Sequence, residues 1–181
     1  MRPPHPTDYF AWVERFAIAH HHKEAFWHLV LSGPAALDAV RAGLAHDDPA
    51  VRAGCTKVLD HLVDDDALDD LVAMLDDDVA EIRLHALHAL ACDRCKANGC
   101  MPTKESVLPA AIERLRDDPS QHVRAMAIGA IGRWVHDDPG ALDAIVAAHE
   151  SDPHPNVRKT AGWYVPGGPL YEKSRPRTRA R

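Results

Sequence analysis

The chain has 181 residues, of which 46% are hydrophobic and 27% charged, so it is long enough for one domain or a short repeat array with its own core. Aromatic residues make up only 6%, and alanine, leucine, valine, aspartate and arginine dominate, which favours helices over a β-sheet. No apolar run approaches the roughly 20 residues of a membrane span, and no basic stretch followed by an apolar segment opens the sequence. We therefore expect a cytoplasmic protein with no membrane partner.

The net charge of −6 is unevenly distributed along the chain. After residue 165, five basic side chains and one glutamate give +4, which leaves −10 on residues 1–165. An acidic body holds nucleic-acid phosphates poorly, so we do not expect a nucleic-acid partner. Arginine outnumbers lysine, a composition typical of GC-rich bacterial genomes, which favours a bacterial source.

The first 33 residues are predicted to form two helices. The first can be capped by Thr7 or Asp8 and runs to about Ala19. The second covers about 23–31 and ends at Ser32-Gly33. We interpret residues 1–33 as an N-terminal helical cap that shields the first repeat of the segment from residue 34 onward.

In that segment a pattern recurs: a helix rich in alanine and leucine, a short aspartate-rich turn, and a helix that opens with a β-branched residue and an arginine. The arginines are 31, 41 and 34 residues apart, and self-similarity at roughly 20–50 residues is typical of solenoids. A small residue follows three positions after each arginine. The pairs are Val51-Arg52, Ile82-Arg83, Val123-Arg124 and Val157-Arg158; the small residues are Cys55, Ala86, Ala127 and Ala161; the repeats are 34–62, 66–91, 107–134 and 139–164.

Each part of the pattern has a physical role. Aspartate and proline cap the second helix and set its first turn. The β-branched residue and the small residue four positions later share one helix face, which lets two helix axes approach closely. The arginine can pair with an aspartate of its own or the adjoining repeat, which predicts a ladder along the stack. Stacking then buries apolar faces that a single short helix pair cannot bury alone.

These D-P-x-x-V-R-x-x-A segments resemble HEAT repeats, of the short bacterial kind also found in the phycobilin lyase family. The resemblance covers about 34–164. It implies an all-α fold, a right-handed α-solenoid of stacked antiparallel helix pairs. The expected organisation is the cap at 1–33, four repeats over 34–165 with a cysteine-rich insertion at 92–102, and a disordered basic tail at 166–181.

The insertion carries three cysteines in nine residues, Cys92, Cys95 and Cys100. In a reducing cytosol, clustered cysteines indicate metal ligands or redox thiols rather than a structural disulfide. A C-x-x-C turn can point two sulfurs at one centre, and the Asn98-Gly99 turn could return the third. The spacing predicts a structural zinc site that needs one further ligand.

Two histidines are candidates for that ligand. His88 lies four residues before Cys92 on the same predicted helix face. His61 stands nine residues after Arg52, as Cys92 does after Arg83, so the two positions are equivalent on stacked helices, on the order of 10 Å apart. We expect His85 to point further round the helix.

Other interpretations of the cysteines stay open: an iron–sulfur cluster, free or redox-active thiols, and inert packing. Cys55 occupies the small-residue position of its repeat and is predicted to be a core residue. The run His20–His22 is interpreted as a polar helix junction, and the acidic runs 64–66 and 76–78 as helix-capping turns rather than cation sites.

No catalytic triad, phosphate-binding loop or nucleotide signature is found, and we assign no catalytic residues. The first hypothesis is a non-enzymatic scaffold that binds a protein partner, because a solenoid offers an extended curved surface. The alternative is a metal- or thiol-dependent accessory enzyme or cofactor handler of the HEAT-like lyase type, which rests on fold analogy. The row five positions after each arginine (Lys57, His88, Gly129 and Trp163) is predicted to lie near the groove.

Overall fold

The computed structural model describes residues 3–62, 65–91 and 103–176, and every regular element in these ranges is helical. The chain divides into two compact units, Met1–Pro102 and Thr103–Arg181. No helix in the described part of the chain is long and apolar enough to cross a membrane. The first unit contains α1 (Tyr9–Glu14), α2 (His22–Ser32), α3 (Leu37–Gly43), α4 (Pro49–Leu62), α5 (Asp65–Ala73) and α6 (Ala80–Ala91). The second contains α7 (Lys104–Asp117), α8 (Gln121–Ile131), α9 (Pro139–Ser151), α10 (Pro155–Ala161) and α11 (Pro169–Ser174).

Within each unit, helices that are consecutive in the chain pack as pairs, and equivalent helices of adjacent pairs stack. In the first unit α3 pairs with α4 and α5 with α6, while α4 stacks on α6. In the second unit α7 pairs with α8 and α9 with α10, while α7 stacks on α9 and α8 on α10. The predicted all-α solenoid class of stacked helix pairs is confirmed.

The buried positions agree with the repeat register. The β-branched residues of the four pairs and the small residues after them are all fully buried, as predicted: Val51, Cys55, Ile82, Ala86, Val123, Ala127, Val157 and Ala161. Small side chains at the second set of positions let the stacked helices come close, and the larger β-branched side chains fill the space between them.

Arginine–aspartate pairs join adjacent repeats within each unit. Arg52 donates from Nε to Asp77 Oδ2 (2.7 Å) and from Nη2 to Asp77 Oδ1 (3.1 Å). Arg124 binds Asp152 in the same bidentate way, at 2.8 and 3.1 Å. Each aspartate belongs to the turn that opens the next second helix, so the predicted ladder uses the adjoining repeat.

The same arginines also bind backbone carbonyls of their own turns. The Nη1 atoms of Arg52, Arg83, Arg124 and Arg158 each donate to the carbonyl six residues before them, at 3.0, 2.8, 2.8 and 2.6 Å respectively. Asp152 Oδ1 accepts the backbone N–H of His154 at 2.8 Å. Each arginine therefore holds its own turn closed, and the aspartate reached by Arg124 stabilises the turn that precedes the next helix.

These contacts fix the charge state of the aspartates. Burial raises the pKa of Asp152, but the hydrogen bonds from Arg124 and from the His154 backbone outweigh burial and hold that pKa below its usual value. The pKa of Asp77 is lowered for the same reasons, with Arg52 and the Val79 backbone as the donors. Both carboxylates stay ionised wherever the protein is folded near neutral pH.

The N-terminal segment differs from the single helix expected up to Ala19. Helix α1 ends at Glu14 and is followed by the 3₁₀ turns Arg15–Ala17 and Ala19–His21, with Ile18 extended between them. Two hydrogen bonds oppose a continuous helix here. Arg15 Nη2 donates to Glu24 Oε2 at 2.6 Å, and the His22 ring contacts the Phe16 carbonyl at 2.5 Å.

The segment after residue 165 also differs from the expectation of disorder. Helix α11 lies within this segment. Its first turn is held by Trp163 O, which accepts the backbone N–H groups of Leu170 and Tyr171 at 2.9 and 3.0 Å. His136 contacts the Tyr171 carbonyl at 3.0 Å. Local backbone hydrogen bonds, invisible to apolar periodicity, order this stretch as far as residue 176.

Replacing Arg124 with methionine should lower the free energy of unfolding by about 3–5 kcal/mol, because Asp152 is left buried without its partner. The matched control Arg116→Met changes an exposed arginine in the same unit and should cost less than about 0.5 kcal/mol. Urea denaturation of the full chain measures both. Adding Asp152→Asn to Arg124→Met keeps an acceptor for the His154 backbone N–H, removes the charge and should restore part of the loss.

The pH dependence of this pair has a definite sign. Because the folded pKa of Asp152 lies below its unfolded value of about 3.9, the pair stabilises the protein above that pH and loses its effect as pH falls through the folded pKa. The stability gap between wild type and Arg124→Met should therefore narrow below about pH 4. Two results would contradict this role of the Arg124–Asp152 pair. One is a stability difference between wild type and Arg124→Met that stays constant down to about pH 2, and the other is a loss of less than about 1 kcal/mol in that variant.

A second pair of variants tests the packing of the N-terminal segment on α4. A Cβ added at Gly54 would collide with the ring of Phe16, which is only 2% exposed, so the ring would have to leave its packed position. Gly54→Ala should destabilise by about 1–3 kcal/mol. Gly129 occupies α8 with nothing within 4 Å of an added Cβ, so Gly129→Ala should stabilise by up to about 1 kcal/mol. If Gly54→Ala and Gly129→Ala raised the melting temperature equally, the close packing of Phe16 on Gly54 would be refuted.

Candidate functional site

Cys92, Cys95 and Cys100 lie outside the described residues, so their arrangement as metal ligands stays a prediction. Within the ranges that the structure describes, no three His, Cys, Asp or Glu side chains form a group that could hold a metal ion. Of the predicted ligands, His61 and His88 are described.

The structure brings His61 and His88 to one cavity. His61 lies near the end of α4 and His88 near the end of α6, and both line a cavity of about 230 Å³. The His61 ring packs edge-on against Phe26, with 5.4 Å between ring centroids. His88 Nε2 lies 3.6 Å from Asp60 Oδ2. Because α4 and α6 stack, the two histidines lie close together, while the predicted relation of His61 to Cys92 lies outside the described residues.

His85 differs from the expectation that it points away, because it lines this cavity too. Its Nε2 atom lies 3.2 Å from Glu81 Oε1, and Lys57 Nζ binds the same oxygen at 3.3 Å. Burial, together with the charge of Lys57, lowers the pKa of His85, so its imidazole is neutral at pH 7. Hydrogen bonds from His85 and Lys57 lower the pKa of Glu81.

Sequence reasoning missed Asp60, which lines the same cavity and is only 6% exposed. Its Oδ1 atom is buried and has no hydrogen-bond partner among the described residues. The equivalent positions eight residues after Arg83 and Arg124 hold Ala91 and Gly132, so the repeat itself does not require a carboxylate here. The one available signal was a charged residue in an otherwise apolar helix stripe.

A larger cavity of about 570 Å³ adjoins the smaller one, with which it shares Phe26 and Lys57. It lies between the N-terminal segment, α4 and the start of α6. Its lining is mostly apolar or small, with two lysines, one histidine and one glutamate; the residues are Phe16, His22, Lys23, Phe26, Pro49, Ala50, Ala53, Gly54, Lys57, Val79 and Glu81. We call the two cavities together the α2–α4 groove.

None of the four residues five positions after an arginine is buried, and their placement near the groove of the whole array stays a prediction. In the first unit Lys57 and His88 both line the α2–α4 groove. In the second unit a Cβ on Gly129 would meet nothing within 4 Å, and Trp163 is 42% exposed. The ring of Tyr164 packs on Gly132.

The histidines at 20–22 contribute to the N-terminal junction. His21 Nδ1 lies 2.6 Å from Arg15 Nη2, and burial and that guanidinium lower the His21 pKa. Arg15 itself is buried, with its guanidinium 5.3 Å from the ring centre of Trp12. These contacts fit the interpretation of this run as a helix junction.

Cys55 is a core residue, as predicted. It is fully buried, and burial raises the pKa of its thiol to about 12. A thiol of that pKa in an apolar site is neither nucleophilic nor a metal ligand at neutral pH.

Solved structures with this fold include a chain from the complex of CpcE and CpcF of phycocyanin lyase from Nostoc sp. PCC7120. It is 18% identical, with a TM-score of 0.67 over 83% of this chain and 93% of that chain. A designed armadillo repeat protein in complex with the peptide (KR)4 is 20% identical, with a TM-score of 0.60 over 92% of this chain and 81% of that chain. A designed armadillo repeat protein for modular peptide recognition is 19% identical, with a TM-score of 0.54 over 92% of this chain and 87% of that chain.

At these identities the likeness shows the fold alone. No curated protein sequence matches the chain. A family model of HEAT repeats matches residues 22–91 and 108–165, more than half of the chain and both of its units. The stacked pairs, the buried small residues and the arginine–aspartate ladder agree with that match, and the chain belongs to the HEAT-repeat family.

Proposed function

We propose that the protein is a non-enzymatic scaffold that binds a protein partner through the α2–α4 groove. The observation that carries the proposal is the groove itself. It is a concave surface formed by stacked repeat helices, apolar at its base, with a few charged groups, as at sites that recognise ligands or peptides. The exposed side chain of Trp27 packs on Phe26 at 5.1 Å beside the groove, and exposed aromatic residues are enriched at protein interfaces.

The similar structures support the same class of function. One of them is a chain in the complex of CpcE and CpcF, and another is an armadillo repeat protein with a bound peptide. Repeat proteins of this fold thus present helical surfaces to polypeptide partners, and we extend that use to this chain.

Partner binding is tested by placing the photo-crosslinking residue p-benzoylphenylalanine at the exposed position 27 beside the groove and, as a control, at the exposed position 113 in α7. Irradiation in a lysate of the source organism should link position 27, and not position 113, to one protein species. The purified partner should then form a complex of defined stoichiometry. Identical crosslinking at both positions, or no complex from the purified components, would refute the scaffold role.

The second part of the proposal is that Cys92, Cys95 and Cys100, completed by His88 or His61, bind a structural zinc ion at the edge of the groove. Two facts support it. Both imidazoles line one cavity, and Cys92 directly follows Ala91, the last residue of α6. Three thiolates and one neutral imidazole form a ligand set that suits a closed tetrahedral zinc site. Such a site would stabilise the helix ends by many kcal/mol, on the order of 10 in peptide systems.

Freshly purified protein should contain one equivalent of zinc by mass spectrometry of metals. Cys92→Ser with Cys95→Ser should remove the zinc and lower the melting temperature. One of His88→Ala and His61→Ala should weaken zinc binding by about 10-fold or more, whereas the exposed control His122→Ala should not. Protein that holds no metal, with its thiols titratable in the native state, would exclude the site. Visible absorption typical of an iron–sulfur cluster would show that the cysteines bind iron instead of zinc.

A second candidate function is a metal- or thiol-dependent accessory enzyme or cofactor handler, favoured by the likeness to the phycocyanin lyase chain. The double serine variant separates the two functions. A structural zinc site predicts lost stability, while thiol chemistry predicts lost activity in a protein that unfolds as the wild type does.

A further inference from the structure

We propose that the smaller cavity of the α2–α4 groove binds the guanidinium group of an arginine side chain from the partner polypeptide, with Asp60 as its acceptor. The inference rests on the proposed scaffold function and names the chemical group that the groove recognises. It depends on how the charges in the cavity are paired, on the aromatic rings beside Asp60 and on the repeat comparison.

Asp60 is a buried carboxylate with an unused oxygen. The residue is only 6% exposed and lines the 230 Å³ cavity near the end of α4. No group in the described part of the chain donates a hydrogen bond to Oδ1, and His88 Nε2 lies 3.6 Å from Oδ2, too far for a hydrogen bond. The torsion that exchanges the two oxygens is broad, so either can face the cavity. A cationic donor that enters the cavity therefore stabilises this carboxylate.

The pairing of charges leaves Asp60 over. The groove as a whole is balanced, with Lys23 and Lys57 against Asp60 and Glu81, so its total charge favours no ligand. Lys57 Nζ lies 3.3 Å from Glu81 Oε1, however, and Lys23 lines the larger cavity and not the smaller one. His85 contacts the same Glu81 oxygen at 3.2 Å and is neutral at pH 7, because burial lowers its pKa. Among the described residues of the smaller cavity, Lys57 is thus matched by a carboxylate, whereas Asp60 lacks a donor.

The walls of the smaller cavity suit a guanidinium group. Phe26 and His61 line it, with their rings edge to face and 5.4 Å between centroids. A guanidinium is planar, stacks on aromatic faces and is more weakly hydrated than an ammonium group, so it enters a partly buried site more easily. It can also donate to both oxygens of one carboxylate. The volume of about 230 Å³ is below the roughly 300–1,000 Å³ of pockets for drug-sized ligands, which fits a single side chain.

The repeat does not require a carboxylate at this position. Asp60 stands eight residues after the arginine of its repeat, and the equivalent positions in the second and third repeats hold Ala91 and Gly132. The fold accepts small uncharged residues there, so stacking does not explain the carboxylate. Residues 1–165 carry a net charge of −10, which attracts a basic partner from a distance. Asp60 then supplies the specific contact for one of its arginines.

The test uses three fluorescein-labelled heptapeptides and fluorescence anisotropy with the full chain. The central residue, flanked by leucine and glycine, is arginine in the first, citrulline in the second and glutamate in the third. Citrulline keeps the shape of arginine but has a neutral urea group in place of the guanidinium. The arginine peptide should bind with a Kd below about 100 μM at low salt and weaken as salt rises. The citrulline and glutamate peptides should bind about 10-fold more weakly.

A matched pair of variants ties this preference to Asp60. Asp60→Asn keeps the shape of the side chain and removes its charge, so the variant should bind the arginine and citrulline peptides alike, within about twofold. Asp69→Asn removes the same charge from an exposed position on α5 and should keep the preference of about 10-fold for arginine. Because Asp60→Asn removes a buried charge that lacks a donor, it should leave the free energy of unfolding unchanged or raise it.

Several outcomes overturn the inference. These are no binding of the arginine peptide up to about 1 mM, equal binding of the citrulline peptide, or the same response to Asp60→Asn and Asp69→Asn. Loss of stability or of zinc in Asp60→Asn, with the arginine peptide bound as before, would show that the carboxylate serves the fold or the metal site instead. Tighter peptide binding after deletion of residues 177–181 would identify the chain's own basic tail as the occupant.

The scaffold role is tested separately. If a partner crosslinks at position 27 but the arginine peptide does not bind, the scaffold role stands and the guanidinium site is wrong. If the arginine peptide binds through Asp60 but no partner crosslinks, the guanidinium site stands and the scaffold role is wrong.

Discussion

The rest of the fold depends on the hydrogen bonds that the arginine at the start of each second helix makes. Its guanidinium closes the turn of its own repeat through backbone carbonyls, and in two repeats it also binds the aspartate in the opening turn of the next. One side chain thereby sets both the local turn and the distance to the neighbouring repeat. Arg124 and Asp152 are each less than 10% exposed, so removing either would leave a charge buried without its partner. This mutual dependence explains why short helices with small core residues hold a fixed stacking register.

Because the ladder and the core repeat with the sequence, most of the fold could be predicted from residue spacing. Val51, Ile82, Val123 and Val157 are buried because each occupies the same position beside its arginine. Whether the aspartate partner lies in the same or the adjoining repeat could not be predicted, since spacing alone cannot say which turn lies nearer. Helix α11 was missed because it is ordered by backbone contacts to Trp163, which leave no apolar periodicity. Repeat stacking can thus be predicted from a sequence far more easily than local hydrogen bonds.

The candidate site likewise contains some residues that the repeat pattern identifies and one that it does not. His61 was a candidate because the repeat register relates it to Cys92, and His88 because it precedes Cys92 by four residues; the two histidines line one cavity. Asp60 could not be found this way, because it departs from the repeat instead of conforming to it: Ala91 and Gly132 occupy its equivalents. A buried carboxylate oxygen without a hydrogen bond costs about 1–3 kcal/mol or more, and within the part of the chain that the structure describes no group donates to Asp60 Oδ1.

The groups that line the proposed binding groove therefore lie partly where the chain departs from its own repeat. Phe16 precedes the residues that the HEAT-repeat model matches, packs against Gly54 and, with Phe26, lines the 570 Å³ cavity. Lys57 and Asp60 replace residues that carry no charge at the equivalent positions of α8, Gly129 and Gly132. The residues that recur in the repeats hold the helices together; they are the arginine, the aspartate and the small core residues. The proposed scaffold role therefore uses positions that the arginine–aspartate ladder leaves unconstrained, and in the first unit Lys57 and Asp60 at such positions line the α2–α4 groove.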